Sequence, residues 1–217
     1  MRKPSLLGLV ILLATLPSVL AAKDKVYMAP RAYHAKTYPA HETHDDEKFS
    51  VAADPYDMPD KTAAIFTVDY KDRGLLPVYM IFSNDAGDTV SLAKMHVTLI
   101  TRKRVKLEPS QPEDIYRRLV KATARPDDPI RFPLPRKKNK GISQETRDEV
   151  ESSQFLARAV EPHGNQAGFL FFDVEGLDNP LAGAKLEITG IMNSKGNELF
   201  FFEIPMEKYL GYQPVKP

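Results

Sequence analysis

The chain has 217 residues, no cysteine and five histidines, three of which gather near the N-terminus. His34 precedes by seven residues the run His41-Glu42-Thr43-His44-Asp45-Asp46-Glu47. Imidazole and carboxylate are donors that transition ions take. His34, His41, His44, Asp45 and Asp46 are therefore a candidate set for a divalent transition metal, Zn or Cu. The His-x-x-His spacing is one residue short of the His-Glu-x-x-His helix motif of zinc proteases, and Pro39 opposes a long helix there. No Asp-x-Asp-x-Asp-Gly loop is present, so calcium fits less well. Charged runs hold ions only when a rigid frame places them; without one, this stretch is a solvated acidic arm.

A second cluster has the opposite charge. Residues 102–140 hold thirteen lysines and arginines against five acids, in a chain whose net charge is +1. Arg131, Arg136, Lys137, Lys138 and Lys140 lie among Pro126, Pro129, Pro133 and Pro135. Cations on a loop that buries little can attract an anionic surface polymer, a lipid headgroup or an envelope protein. The plainer reading is a solvated loop.

Other chemistries have little to stand on. Without cysteine there is no disulfide, thiolate metal site or cysteine nucleophile. No Gly-x-Ser-x-Gly turn or phosphate-binding glycine loop occurs. His96 and His163 have no placeable serine and acid partners, and Pro162-His163-Gly164 reads as a turn. The 29 acids localise no carboxylate pair. A non-enzymatic role without a cofactor is the expectation.

The elements that must position these residues begin after an export signal. Arg2 and Lys3 precede fifteen largely apolar, uncharged residues, Leu6 to Leu20, followed by small Ala21 and Ala22. This is the order of a secretory signal peptide. The run is shorter than the roughly 20 residues that span a bilayer, and Pro17 interrupts its end. Residues 1–21 are thus expected to be removed, giving a periplasmic or secreted protein that makes no membrane span and meets no nucleic acid.

Residues 22–47 read as an extended polar arm, and Lys48 to Ala53 as the first strand. Asp60 is placed to cap a short helical turn through Phe66. Pro77 to Phe82 and Met95 to Thr101 have strand character; in the latter Met95, Val97 and Leu99 share a face. Ser110-Gln111-Pro112-Glu113 is a capping box opening a helix to about Lys121, and Ser143 caps a second helix to about Ala159. Ala167 to Val174 is apolar enough for a strand covered on both faces. Lys185 to Ile191 and Leu199 to Ile204 flank the loop Asn193 to Asn197 as a hairpin.

Short strands at this spacing, without strand–helix alternation, predict a mainly β fold: an immunoglobulin-like antiparallel β-sandwich over residues 48–210. A two-helix insertion with the basic loop interrupts it at about 109–160, and 211–217 is a tail. The expected core includes Val78, Met80, Ile81, Val97, Leu99, Phe169, Phe171, Ile188, Phe200 and Phe202. Phe172 and Phe201 are the aromatics that alternation turns away from their neighbours.

Lys61 to Phe66, Gly74-Leu75-Leu76-Pro77-Val78, Ile81-Phe82-Ser83-Asn84, Gly168 to Phe172 and Phe200 to Pro205 together resemble a group of uncharacterised exported bacterial proteins with one immunoglobulin-like sandwich. Thr37 to His41 belongs to the same pattern. The resemblance implies fold and export and carries no catalytic residue. The expected role is an exported binding or structural module of the cell envelope, with metal binding through the arm as the alternative.

Overall fold

The computed structural model describes residues 27–121 and 141–211. The expected signal segment and the proline-rich basic loop lie outside those residues. In chain order the strands are β1 (His41–His44), β2 (Phe49–Pro55), β3 (Leu75–Asn84), β4 (Val90–Ser91) and β5 (His96–Ile100). They continue as β6 (Lys106–Leu107), β7 (Ala159–Val160), β8 (Gly164–Asp173), β9 (Lys185–Thr189) and β10 (Phe202–Pro205). The helices are α1 (Pro59–Ile65), α2 (Pro112–Lys121), α3 (Gln144–Ser153) and α4 (Glu207–Leu210). Strand outweighs helix, 33% against 22%, so the chain is mainly β. None of the helices is long and apolar enough to cross a membrane, among the described residues.

All strand pairs are antiparallel. One sheet runs β1-β2-β3-β8, a second β10-β9-β5-β6, and β4 pairs with β7. The alternation of β3 explains the layering. Leu76, Val78, Met80 and Phe82 join a core with Val97 and Leu99 of β5, Leu186 and Ile188 of β9, and Phe202 and Ile204 of β10. Leu75, Tyr79 and Ile81 point the other way, into a core with Phe66, Tyr70, Ile115 and Leu119 of α2, and Val150 of α3. Every residue of β3 is buried because each face has its own cover. Full burial of such a side chain contributes about 1.5–3 kcal/mol.

β8 has both faces covered, Phe172 toward the second sheet and Phe169 and Phe171 toward the helices. It nevertheless ends its sheet. The chain flanking the helices closes that edge: Ser110 N–H donates to Phe171 O at 2.7 Å and Phe155 N–H to Phe169 O at 2.9 Å. The second crossing requires Gly168, where a Cβ would lie 2.6 Å from Phe155 Cα.

Several boundaries differ from the sequence reading. Residues 35–47 are not a free arm: Ala35 and Ala40 are fully buried, β1 pairs with β2, and Ala53 N–H donates to Ala40 O. α1 starts one residue before Asp60, with Met58 at its N-cap and Pro59 in its first turn, a position proline suits because its missing N–H would have had no helical partner. Ser110 does not cap α2, because its backbone is used on β8; the Gln111 carbonyl accepts from Asp114 and Ile115 instead. Ser143 does cap α3, its side-chain oxygen accepting from Thr146 N–H. That helix stops at Ser153, since Phe155 must join β8 and Ala159 pairs in β7. Phe200 is 77% exposed and Phe201 55%. Strand pairing begins only at Phe202, so only the third phenylalanine enters the core.

Candidate functional site

The five expected metal donors do not converge. His34 places Nε2 3.0 Å from Asp85 Oδ1, and its Nδ1 accepts from Lys36 N–H. This bond to His34 holds the Asp85 carboxyl below its ordinary range. His41 Nδ1 lies 2.6 Å from Tyr38 O, so that nitrogen carries the proton it donates to the carbonyl. His44 stacks on Phe202, centroids 4.0 Å apart, with Nδ1 2.9 Å from Glu47 and Nε2 3.5 Å from Glu42. Asp45 is exposed near Lys36, and Asp46 is exposed. Pairing of β1 with β2 is what separates the histidines: it fixes His41 and His44 in the sheet while Asp45 and Asp46 go into the turn after it. Among the described residues, no group of three or more His, Asp or Glu is placed to hold a metal ion. Arg131, Arg136, Lys137, Lys138 and Lys140 lie outside the described residues.

The structure instead assembles a cleft of about 670 Å³ from segments far apart in sequence. One wall is the 3-10 turn Lys71–Arg73, which Gly74 ends at φ +70°, a left-handed conformation that glycine takes without steric cost. Leu75 and Leu76 follow on β3. The opposite wall is the loop after β8, including Val174, Glu175, Gly176, Leu177, Asp178, Pro180, Leu181 and Ala182. Val174 N–H donates to Gly74 O at 2.8 Å, tying the two walls together. Tyr56 and Asp57 contribute from the chain after β2, Arg118 from α2, and Leu210 from the end of α4.

Most of the cleft's charged groups are engaged. Arg118 donates to both Asp173 and Glu175, and those bonds raise its already high pKa further. Lys71 Nζ donates to the Asp57 carbonyl at 3.1 Å. Asp57 Oδ1 accepts from the Tyr209 hydroxyl at 2.6 Å. Burial, then the Asp57 bond, pushes the Tyr209 phenol far above its ordinary value. Behind this wall Lys61 pairs with Asp54 at 2.5 Å, its Nζ 4.4 Å from the Tyr56 ring centroid and 4.9 Å from that of Tyr209. Asp54 is raised by its burial, which the nearby Lys61 opposes.

The lining contains no serine, threonine, cysteine or histidine. Tyr56, Lys71 and the carboxylates of Asp57, Asp72, Glu175 and Asp178 are its reactive groups, and its volume falls in the range of small-molecule pockets. The arrangement can bind. Its sequence signals are only two turn-rich stretches, Asp72-Arg73-Gly74 and Glu175 to Pro180, about a hundred residues apart; nothing local says that they meet.

No family model matches the chain, and no curated protein matches it. Among solved structures, a conserved hypothetical protein from Bacillus anthracis is similar at 11% identity, over 73% of this chain and 87% of that one, with a TM-score of 0.29. Similarity at that score fixes neither fold nor function, so the site rests on its own chemistry.

Proposed function

We propose that this chain is an exported, non-enzymatic binding module of the bacterial cell envelope, periplasmic or secreted, and that the cleft between residues 71–76 and 174–182 is its binding site. The observation that carries the reading is that cleft, about 670 Å³ and lined by both leucines and charged side chains. The fold we assign is an immunoglobulin-like β-sandwich. Its support is a core filled from both four-stranded antiparallel sheets and the likeness to exported single-sandwich bacterial proteins. Export rests on the charged start, apolar run and small residues of positions 1–22.

The test is to express the full chain with its own N-terminus, fractionate the cells and record the native mass. A periplasmic product shortened by 21 or 22 residues, carrying a non-covalent adduct that the cleft-filling Ala182→Trp variant lacks, is the expected result. A full-length cytoplasmic product overturns export. A periplasmic product without an adduct, or with one indifferent to Ala182→Trp, overturns the assignment of the site.

A further inference from the structure

The turn between β5 and β6 reads Arg102-Lys103-Arg104-Val105, and Lys106 opens β6. All five residues are exposed, and none of the four cations forms an ion pair or a side-chain hydrogen bond among the described residues. We propose that this hairpin docks the protein on the surface of an anionic phospholipid bilayer, independently of the cleft. The turn is a fixed frame. Buried Thr101 holds it: its carbonyl accepts from Arg104 N–H at 2.8 Å, its N–H donates to Val105 O at 2.9 Å, and its hydroxyl accepts from Val105 N–H at 3.1 Å. Arg104 has φ +62°, a left-handed conformation that glycine enters freely and a side chain strains to adopt; the backbone alone would favour glycine there. The stem of Arg102 lies against Gly183, where a Cβ would be 3.0 Å from the arginine Cβ and Cγ, so its methylenes pack while the residue stays exposed.

The neighbouring acids stand behind the tip. Ile100 pairs with Lys106 on one side and with Lys185 on the other, where β9 begins, so residues 101–105 reach beyond that rung. Glu108 is two residues past Lys106 and Glu187 two residues past Lys185, both set back along their strands. Glu203 is taken by Lys185. Residues 179–184, the part of the adjoining loop that leads to Gly183, contain no acid, and Asp178 before them lines the cleft. Glu207 follows β10, two strands away from β5; at about 4.8 Å per strand that exceeds the roughly 8 Å over which salt screens exposed charges.

A convex tip encloses no small anion, and dispersed lipid molecules offer it no more. What engages four cations together is an extended anionic surface. Val105, 41% exposed between Arg104 and Lys106, selects which kind. An apolar side chain gains nothing from a hydrated polyanion, but it gains by leaving water for the headgroup boundary of a bilayer.

The experiment is co-sedimentation of residues 22–217, which keep every described element, with vesicles of phosphatidylglycerol and phosphatidylcholine in equal parts and with vesicles of phosphatidylcholine alone. Binding to the anionic vesicles only, lost at about 0.5 M salt, is the expected result. A basic residue at an anionic surface contributes about fivefold to partitioning, so changing Arg102, Lys103, Arg104 and Lys106 together to Gln should weaken binding at least about a hundredfold. Arg104→Gly alone should weaken it about fivefold without lowering the urea midpoint, because glycine suits that backbone; this variant separates lost charge from lost fold. Val105→Ser should weaken vesicle binding as well. No binding, equal binding to the neutral vesicles, or indifference to the four-Gln variant would overturn the inference. Binding that survives that variant and disappears when Arg136, Lys137, Lys138 and Lys140 are changed would assign the attraction to the other basic stretch and overturn the role of the hairpin. Displacement from vesicles by soluble polyphosphate, with Val105→Ser binding as well as the unchanged chain, would make the partner a polyanion and overturn the bilayer.

Discussion

The Glu42 side chain accepts the backbone N–H of Glu203 at 2.5 Å, so a residue of β1 in one sheet seals the outer edge of β10 in the other. Glu47 does the same for Phe200 N–H at 3.1 Å. An open strand edge is a template for pairing with a second chain. Here it adjoins Leu199-Phe200-Phe201-Phe202, an apolar, β-prone run of the kind that drives such pairing. Two carboxylates block it.

Removing both should therefore promote self-association. Glu42→Ala combined with Glu47→Ala is expected to raise the mass found by sedimentation velocity above that of the unchanged chain. Adding Phe201→Ser should bring it back down. An unchanged mass would mean that the carboxylates satisfy hydrogen bonds without guarding the edge.

Gly168 sits where Phe155 crosses β8, and a methyl group there meets backbone rather than a flexible side chain. Gly168→Ala should lower stability by about 1–3 kcal/mol, the usual cost of overpacking, with the loss read from the urea midpoint. Gly87, where a Cβ has open space, is the control: Gly87→Ala should shift the midpoint by less than about 0.5 kcal/mol.

Glu149 on α3 is 2% exposed and accepts from Thr67 N–H at 2.7 Å, Thr67 Oγ1 at 2.5 Å and Tyr70 Oη at 2.9 Å. These bonds fasten the helix to the segment that leads into the cleft wall. Glu149→Ala leaves the Tyr70 hydroxyl buried without its acceptor and should cost about 3 kcal/mol. Hydrogen exchange should quicken at residues 67–73 more than in β9. A uniform increase would show that the contact stabilises the whole fold and does not hold that wall in particular.

Alkaline pH gives a signed prediction. Burial raises Tyr27 to about 12, and lifts Tyr56, Tyr70, Tyr79 and Tyr209 higher still. The unfolded chain releases phenol protons near the ordinary value of 10.0, while the folded chain keeps them. Above that pH the unfolded state binds fewer protons, so stability is intact below pH 10 and falls as pH rises through the folded values. Urea midpoints compared at about pH 9 and about pH 11 should show this fall, and Tyr70→Phe should make it shallower. A midpoint that does not move would contradict the burial of these phenols.

Much of the β layering was legible because a period of two is written into the residues themselves. Val97 and Leu99 are buried and His96 is exposed, as alternation requires, and Ser143 starts its helix as its side chain dictates. β1 was not legible. His-Glu-Thr-His has no apolar alternation, and its strand character comes from the partner β2. Three consecutive phenylalanines likewise cannot say which one begins the pairing. The cleft was hidden for another reason: its walls are turns joined only when β3 pairs with β8 along Leu75 to Asn84, and no local pattern records that register.

The central claim is that the cleft, and not the histidines of β1, does the binding. The most direct measurement is to record backbone amide spectra of 15N-labelled residues 22–217 while adding the small-molecule and lipid extract of the bacterial envelope. The account predicts saturable shifts confined to residues 71–76, 174–182 and Leu210. Shifts centred on His34, His41 and His44, or none at any concentration, would contradict it.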